Sequence, residues 1–193
     1  MLYNKLKNKH IILASGSPRR QKFLKDLGLK FEIRLKEVEE HYPDDLNKTE
    51  ITDFLAKIKA KPFTKKLKKD EILITSDTIV WLKDKAIGKP GSPDEAKKML
   101  RELSGNMHEV ITSVALTDKV HQVIINDITK VYFKALSNDE IDYYLENYKP
   151  YDKAGSYGIQ EWIGFIGIEK IEGSYFNVMG FPIHKFYQAL LEF

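Results

Sequence analysis

The chain has 193 residues, 42% hydrophobic and 31% charged, with ten Phe, ten Tyr and two Trp. That is enough apolar and aromatic material for a sizeable core in one domain or in two lobes around a shared cleft, and it excludes a disordered chain. The formal net charge of +3 is too small to mark a nucleic-acid binder, and the absence of cysteine excludes disulfides, thiolate nucleophiles and Cys-ligated zinc.

The apolar run near the N-terminus, Ile11 to Ala14, is far too short for a signal-peptide core or a membrane span, so a cytoplasmic protein is expected. His10 to Ala14 reads as a short strand. Ser17 and Pro18 then have the character of an N-cap and first helical residue, and Gly28 that of a C-terminal cap. Phe31 to Leu35 alternates like a strand. Asn47 and Glu50 have capping-box spacing at the start of a second helix, which Pro62 kinks or ends. Glu71 to Thr75 predicts a buried strand delivering Ser76-Asp77-Thr78 at its end, with Ile79 to Lys83 continuing as strand.

Ser92, Pro93 and Glu95 open a further helix that Gly105 closes. Met107 to Thr117 and Val120 to Lys134 read as a hairpin turning at Asp118-Lys119. Ser137 and Glu140 cap a helix over DEIDYYLENY, whose Tyr143, Tyr144 and Tyr148 are expected in the core. A loop rich in Gly and Tyr follows, then a strand over Ile163 to Ile171 and a terminal helix after Pro182. There is no repeat, linker or low-complexity break, so residues 1–193 are expected to form one domain. Antiparallel strands mixed with strand–helix units predict an α/β fold with a mixed sheet, rather than a purely parallel one.

Several constellations carry chemistry. Ser15-Gly16-Ser17-Pro18-Arg19-Arg20 places two arginines in the first turn of a helix, where the dipole disfavours cations. A bound anion would remove that conflict, and arginine grips phosphate oxygens in pairs. Asp77, after an apolar strand, is either a metal ligand or proton acceptor at the sheet edge, or a solvated turn residue. Lys89, stiffly held between Gly88 and Pro90, is a point charge suited to phosphate, although such a segment is more often a plain turn. Glu39 and Glu40 beside His41 have the composition of a magnesium-holding pair and equally of a solvated acidic surface.

In Asp152–Gln160 the glycines allow close backbone approach to a ligand. Tyr157 could stack on a base, and the Gln160 amide matches the N3–H and O4 edge shared by thymine and uracil. A tight surface loop fits the same residues. Seven lysines crowd Lys57 to Lys69, the pattern of a solvated helix face, and nothing local separates Lys59 from the rest.

In order, ILASGSPRR, EVEE, LAKIKA, SDTIV, GKP, LSGNMHEVITSVAL, DKAGSYGIQ and IEGSYFNVMGFP resemble the Maf family of nucleoside triphosphate pyrophosphatases from Ile11 to Pro182. The DKAG-x-YGIQ loop resembles the dTTP/UTP-cleaving branch. The resemblance implies an elongated α/β fold with two lobes around a deep cleft, similar to the inosine triphosphate pyrophosphatases. It implies hydrolysis of a free nucleotide to its monophosphate and pyrophosphate with a divalent cation, Mg or Mn, without nucleic acid or membrane. A homodimer and a non-catalytic role in septum regulation are compatible with it.

The resemblance also assigns roles. Ser15, Arg19 and Arg20 bind the triphosphate. Asp77 is the proton acceptor and a metal ligand, and Glu40 is a metal ligand or a water-orienting group. Lys59 and Lys89 complete the catalytic set, and Arg19, Thr78 and Gln160 fall on specificity positions. The chain departs from the family pattern at Ser76, usually Ala, at Glu161, often Gly, at Glu39, usually Asp, and at Phe181, usually Leu. Ser76 and Glu161 bear on base preference.

Overall fold

The computed structural model describes residues 2–193. In chain order the elements are α1 (Leu2–Lys5), β1 (His10–Leu13), α2 (Pro18–Asp26), β2 (Phe31–Ile33), α3 (Thr49–Thr64), β3 (Glu71–Leu82), β4 (Lys85–Ile87) and α4 (Pro93–Leu103). There follow β5 (Met107–Thr117), β6 (Gln122–Phe133), α5 (Asn138–Tyr148), a short 3-10 turn over Ala154–Ser156, α6 (Trp162–Gly167), β7 (Ile168–Glu172), α7 (Tyr175–Val178) and α8 (Ile183–Glu192).

The strands form a seven-stranded sheet in the order β2-β1-β3-β5-β6-β7, with β4 paired to β3. β1 runs parallel to both β2 and β3, whereas β3–β4 and β6–β7 are antiparallel. The sheet is therefore mixed, as the combination of antiparallel strands with strand–helix units predicts. The hairpin turn between β5 and β6 is closed by the Asp118 N–H donating to the His121 carbonyl at 3.1 Å.

The chain divides into two compact units. The first comprises the chain up to Asp77, Thr112–Asp127 and Gly180–Phe193; the second comprises Thr78–Ile111 and Ile128–Met179. In the first, Ile12, Ala60, Phe63, Leu67 and Leu73 form a small core between α3 and the parallel strands. In the second, α4 and α5 pack with Val80, Val110, Val131 and Phe133 around Leu100, Leu103 and Tyr144.

Local chemistry accounts for most helix ends. Ser137 and Glu140 form a complete capping box on α5. Ser92 accepts from the Glu95 N–H, but the Glu95 carboxylate turns instead to the Gly91 N–H, which gives half a box. Glu50 likewise accepts from the Asn47 N–H without a reciprocal side-chain bond, and α3 starts one residue later than a box would place it. Pro62 lies inside α3, and the helix ends at Thr64.

Three expectations are corrected. β3 is one continuous strand of 12 residues, so Asp77 lies in its middle and not at its end; β-branched residues on both sides of Ser76-Asp77 carry the pairing through. The segment expected to be strand from Ile163 begins instead as α6, because Gly164 lets a helical turn close against the Ile159 carbonyl, where a Cβ would stand 1.9 Å away. Of the three tyrosines of α5, only Tyr144 is core; Tyr143 and Tyr148 are exposed by 48% and 39%.

Candidate active site

In the first unit, β1 ends at Leu13 and the chain turns through Ser15-Gly16 into α2. Ser17 is the N-cap but makes no side-chain cap bond. The buried Ser15 hydroxyl accepts from the Ser17 N–H at 3.2 Å in its place. Arg20, in the first turn of α2, donates from Nε to the Gly180 carbonyl at 3.0 Å, and from Nη1 to the Ser76 carbonyl at 3.0 Å and the Ser15 hydroxyl at 3.5 Å. The conflict between a cation and the helix dipole is thus partly resolved by the protein's own carbonyls. This wires Arg20 across α2, β3 and the segment leading to α8.

Asp77 is 7% exposed. Lys59, on α3, places Nζ 2.5 Å from Asp77 Oδ1 and 2.9 Å from Glu40 Oε1. Glu40 lies in the irregular segment between β2 and α3. Lys59 is drawn inward because α3 buries Ala56 and Ala60 against the sheet, and the buried Thr75 hydroxyl donates to the Ala56 carbonyl at 2.8 Å. The other six lysines of the run are exposed, so the solvated-face reading holds for all but this one.

Burial pushes the Asp77 carboxyl above its ordinary value of 3.8, and the Glu40 carboxylate adds to the rise. The charges of Lys59 and Arg20, with the Lys59 hydrogen bond, oppose it without cancelling it. Burial also lowers Arg20 to about 10, against the pull of Asp77; it stays a cation at neutral pH.

Thr78, Lys89 and Gln160 belong to the second unit. Lys89 follows β4 and is exposed, and the adjacent Gly88 carbonyl accepts from the Gly155 N–H at 3.0 Å, which ties this segment to the 152–160 loop. Gly155 has φ +68°, and a Cβ there would stand 2.9 Å from Val80 Cγ2, so the tight turn needs glycine. The Gln160 Oε1 is buried without a hydrogen-bond partner among the described residues.

Tyr157 does not have the role expected of it. It is 6% exposed, its hydroxyl is 2.7 Å from His108 Nε2, and its ring packs edge-on against His108 and Phe133. It is a buried anchor of the loop, with no face left for a base. His108 was invisible as its partner in the sequence, because the two are 49 residues apart. Burial alone holds His108 neutral, near a pKa of about 3.

Chemically, the first unit offers a half-open helix N-terminus with two arginines. Beside it a lysine is shared by two carboxylates, one of them buried. Such a set suits a polyanion with a cation among its oxygens. The chain belongs to the Maf-like protein family, whose model matches residues 10–193.

It is 58% identical over 190 residues to a dTTP/UTP pyrophosphatase of Flavobacterium johnsoniae, covering 98% of each chain. It is 59% identical over 191 residues to a dTTP/UTP pyrophosphatase of Flavobacterium psychrophilum, covering 99% of this chain and 98% of that one. In fold it is similar to the Ham1 protein of Staphylococcus aureus, with a TM-score of 0.54 at 16% identity over 95% of this chain and 98% of that chain. Among the described residues no helix is long and apolar enough to cross a membrane.

Proposed function

We propose that this protein hydrolyses nucleoside triphosphates, dTTP and UTP foremost, to the monophosphate and pyrophosphate, acting on free nucleotides in the cytoplasm. The observation that carries the reading is the buried Asp77 carboxylate, raised in pKa and held 2.5 Å from Lys59. The near-full-length relatives named dTTP/UTP pyrophosphatase support the substrate.

In this reading the Ser15 turn and the N-terminal N–H groups of α2 receive phosphate oxygens, and Arg19 and Arg20 match the charge. Lys59 and Lys89 neutralise what gathers on the oxygens as the anhydride breaks. Asp77 accepts a proton from the attacking water, a task suited to a carboxylate whose pKa burial has raised. Thr78 and Gln160 bear on base choice, with Gln160 pairing to the base edge.

Asp77 and Glu40 would hold the divalent cation, magnesium or manganese. The donor set fits, because both carboxylates already converge on one cationic atom, Lys59 Nζ. An ion held by one or two carboxylates takes its remaining ligands from phosphate and water. When bound, the ion supplies charge neutralisation at the phosphate oxygens.

The test is pyrophosphate release from a panel of nucleoside triphosphates with magnesium or manganese, wild type beside Asp77→Asn. Release from dTTP and UTP, cut about 10²- to 10⁴-fold in the variant, is expected for loss of a general base. Near-normal turnover of Asp77→Asn would remove the assignment of the base. Equal release from purine nucleotides would overturn the substrate.

A further inference from the structure

Gln160 sits in a turn of the second unit whose neighbouring polar groups are already paired. Glu161, the next residue, is half-buried and uses both carboxylate oxygens. Oε1 lies 3.0 Å from Lys153 Nζ, and Oε2 accepts a hydrogen bond from the Tyr144 hydroxyl. The Tyr144 oxygen in turn accepts from the Gly158 N–H at 3.0 Å. Tyr144 is fully buried on α5, and burial, with the Glu161 bond next, drives its phenol well above the ordinary value, so it stays a donor. The Glu161 N–H donates to the Gly158 carbonyl at 3.0 Å and closes the turn.

Two glycines make room for this arrangement. A Cβ at Gly158 would stand 2.8 Å from Glu161 Cδ, and one at Gly164 would collide with the Ile159 carbonyl. Ile159, 5% exposed, is locked into the core. Lys153 near the start of the loop, Gly158 in its middle and Glu161 at its end are thus tied to one carboxylate and one core tyrosine. The Gln160 amide, with its Oε1 out of solvent and unpartnered, is the group left over.

We infer that Glu161 is the positioning residue for Gln160: its clamp on Tyr144 and Lys153 fixes the turn, and with it the place of the Gln160 amide, and thereby sets base selectivity. This rests on the reading of Gln160 as the base-contacting group. The reason is energetic: an amide on a mobile turn would satisfy itself on nearby backbone or water, whereas on a turn fixed by paired groups its Oε1 stays unpaired and out of solvent, a cost recovered only when a donor is brought to it.

The experiment compares kcat and KM for dTTP, UTP and CTP, with thermal midpoints, in wild type, Glu161→Gln, Tyr144→Phe, the double variant and Gln160→Ala. Glu161→Gln keeps the size but removes the charge that Lys153 and Tyr144 hold. It is expected to raise KM for dTTP and UTP roughly tenfold, the scale of one charge-assisted hydrogen bond, with a smaller change in kcat and little change for CTP.

Tyr144→Phe, which deletes a single oxygen, should give the same loss of selectivity, and the double variant little more than either single one. A merely structural role would lower activity on all three nucleotides alike, in step with the thermal midpoint, and would overturn the inference. Unchanged selectivity in Glu161→Gln and Tyr144→Phe, beside a Gln160→Ala variant that loses it, would overturn the clamp and leave Gln160 as reader. Unchanged selectivity in Gln160→Ala would overturn the reading of Gln160 and the clamp with it.

Discussion

Lys59 Nζ lies 2.5 Å from Asp77 Oδ1 across 18 residues of sequence, and the same atom reaches Glu40 Oε1 at 2.9 Å. One ammonium on α3 bridges two carboxylates that would otherwise repel. Asp77 is held at a raised pKa by burial and kept from rising further by Lys59, with Arg20 helping less. Asp77 and Glu40 would hold a divalent cation, and Lys59 beside them would add positive charge for phosphate oxygens.

The first prediction concerns pH. The acid limb of kcat/KM is expected above 3.8, since Asp77 must be ionised to accept a proton and its folded pKa is raised. In Lys59→Ala both the charge and the hydrogen bond that oppose burial are gone, so the limb should move up. The sign for stability is opposite to that of a salt-bridged acid. The folded state binds this proton more tightly, so the Asp77 contribution is greatest below 3.8 and falls as pH rises through the raised value. A pH–rate profile of the two proteins checks the shift; an unmoved limb in Lys59→Ala would disconnect Lys59 from the base.

A second prediction separates the two arginines. Arg20 spans the Gly180 and Ser76 carbonyls, both at 3.0 Å. A lysine has one point of charge and cannot bridge both, so Arg20→Lys should cost about 1–3 kcal/mol of stability from an orphaned carbonyl. Arg19→Lys should cost far less stability and appear mainly in KM. Urea denaturation beside steady-state kinetics distinguishes them, and equal losses of stability would remove the structural role given to Arg20.

Gly164→Ala is expected to destabilise by about 3 kcal/mol or more, since the added methyl meets backbone at 1.9 Å and neither side can yield cheaply. Gly158→Ala meets only the Glu161 carboxylate, at 2.8 Å, which a side-chain rotation relieves. Its cost should be smaller in stability and visible in base selectivity. Thermal unfolding of the pair checks the ranking.

His108 is expected to make the protein acid-labile. Its folded pKa is depressed to about 3 against an ordinary 6.5, so its contribution is intact above 6.5 and is lost as pH falls toward 3, where the unfolded chain takes up the proton first. The slope approaches about 1.4 kcal/mol per pH unit for one proton. In His108→Gln stability should fall less steeply over that range. Equal pH slopes in the two proteins would mean that His108 is not the group responsible.

The sequence by itself determined the class and most of the order of elements. Caps and breakers act within a few residues, so Pro18, Gly28, Ser92, Ser137 and Glu140 mark helix ends from local chemistry alone. Long β-rich runs meeting at Asp118-Lys119 pointed to the hairpin, their combination with strand–helix units to the mixed sheet, and the ordered motifs from Ile11 to Pro182 to the Maf family, whose model matches residues 10–193. Tertiary structure decided what depends on partners far apart in the chain. Lys59 became distinct from six neighbouring lysines only because α3 turns that side chain inward to Asp77. Tyr157 changed from a stacking candidate to a buried anchor once His108 lay beside it. Asp77 moved from the end of a strand to its middle because pairing on both sides carried β3 past it. Glu161, which sequence marked as a departure bearing on base preference, gained its partners when Tyr144 and Lys153 met on its carboxylate. In each case burial and charge pairing chose among residues that local pattern leaves equivalent, because those energies exist only once distant segments have packed.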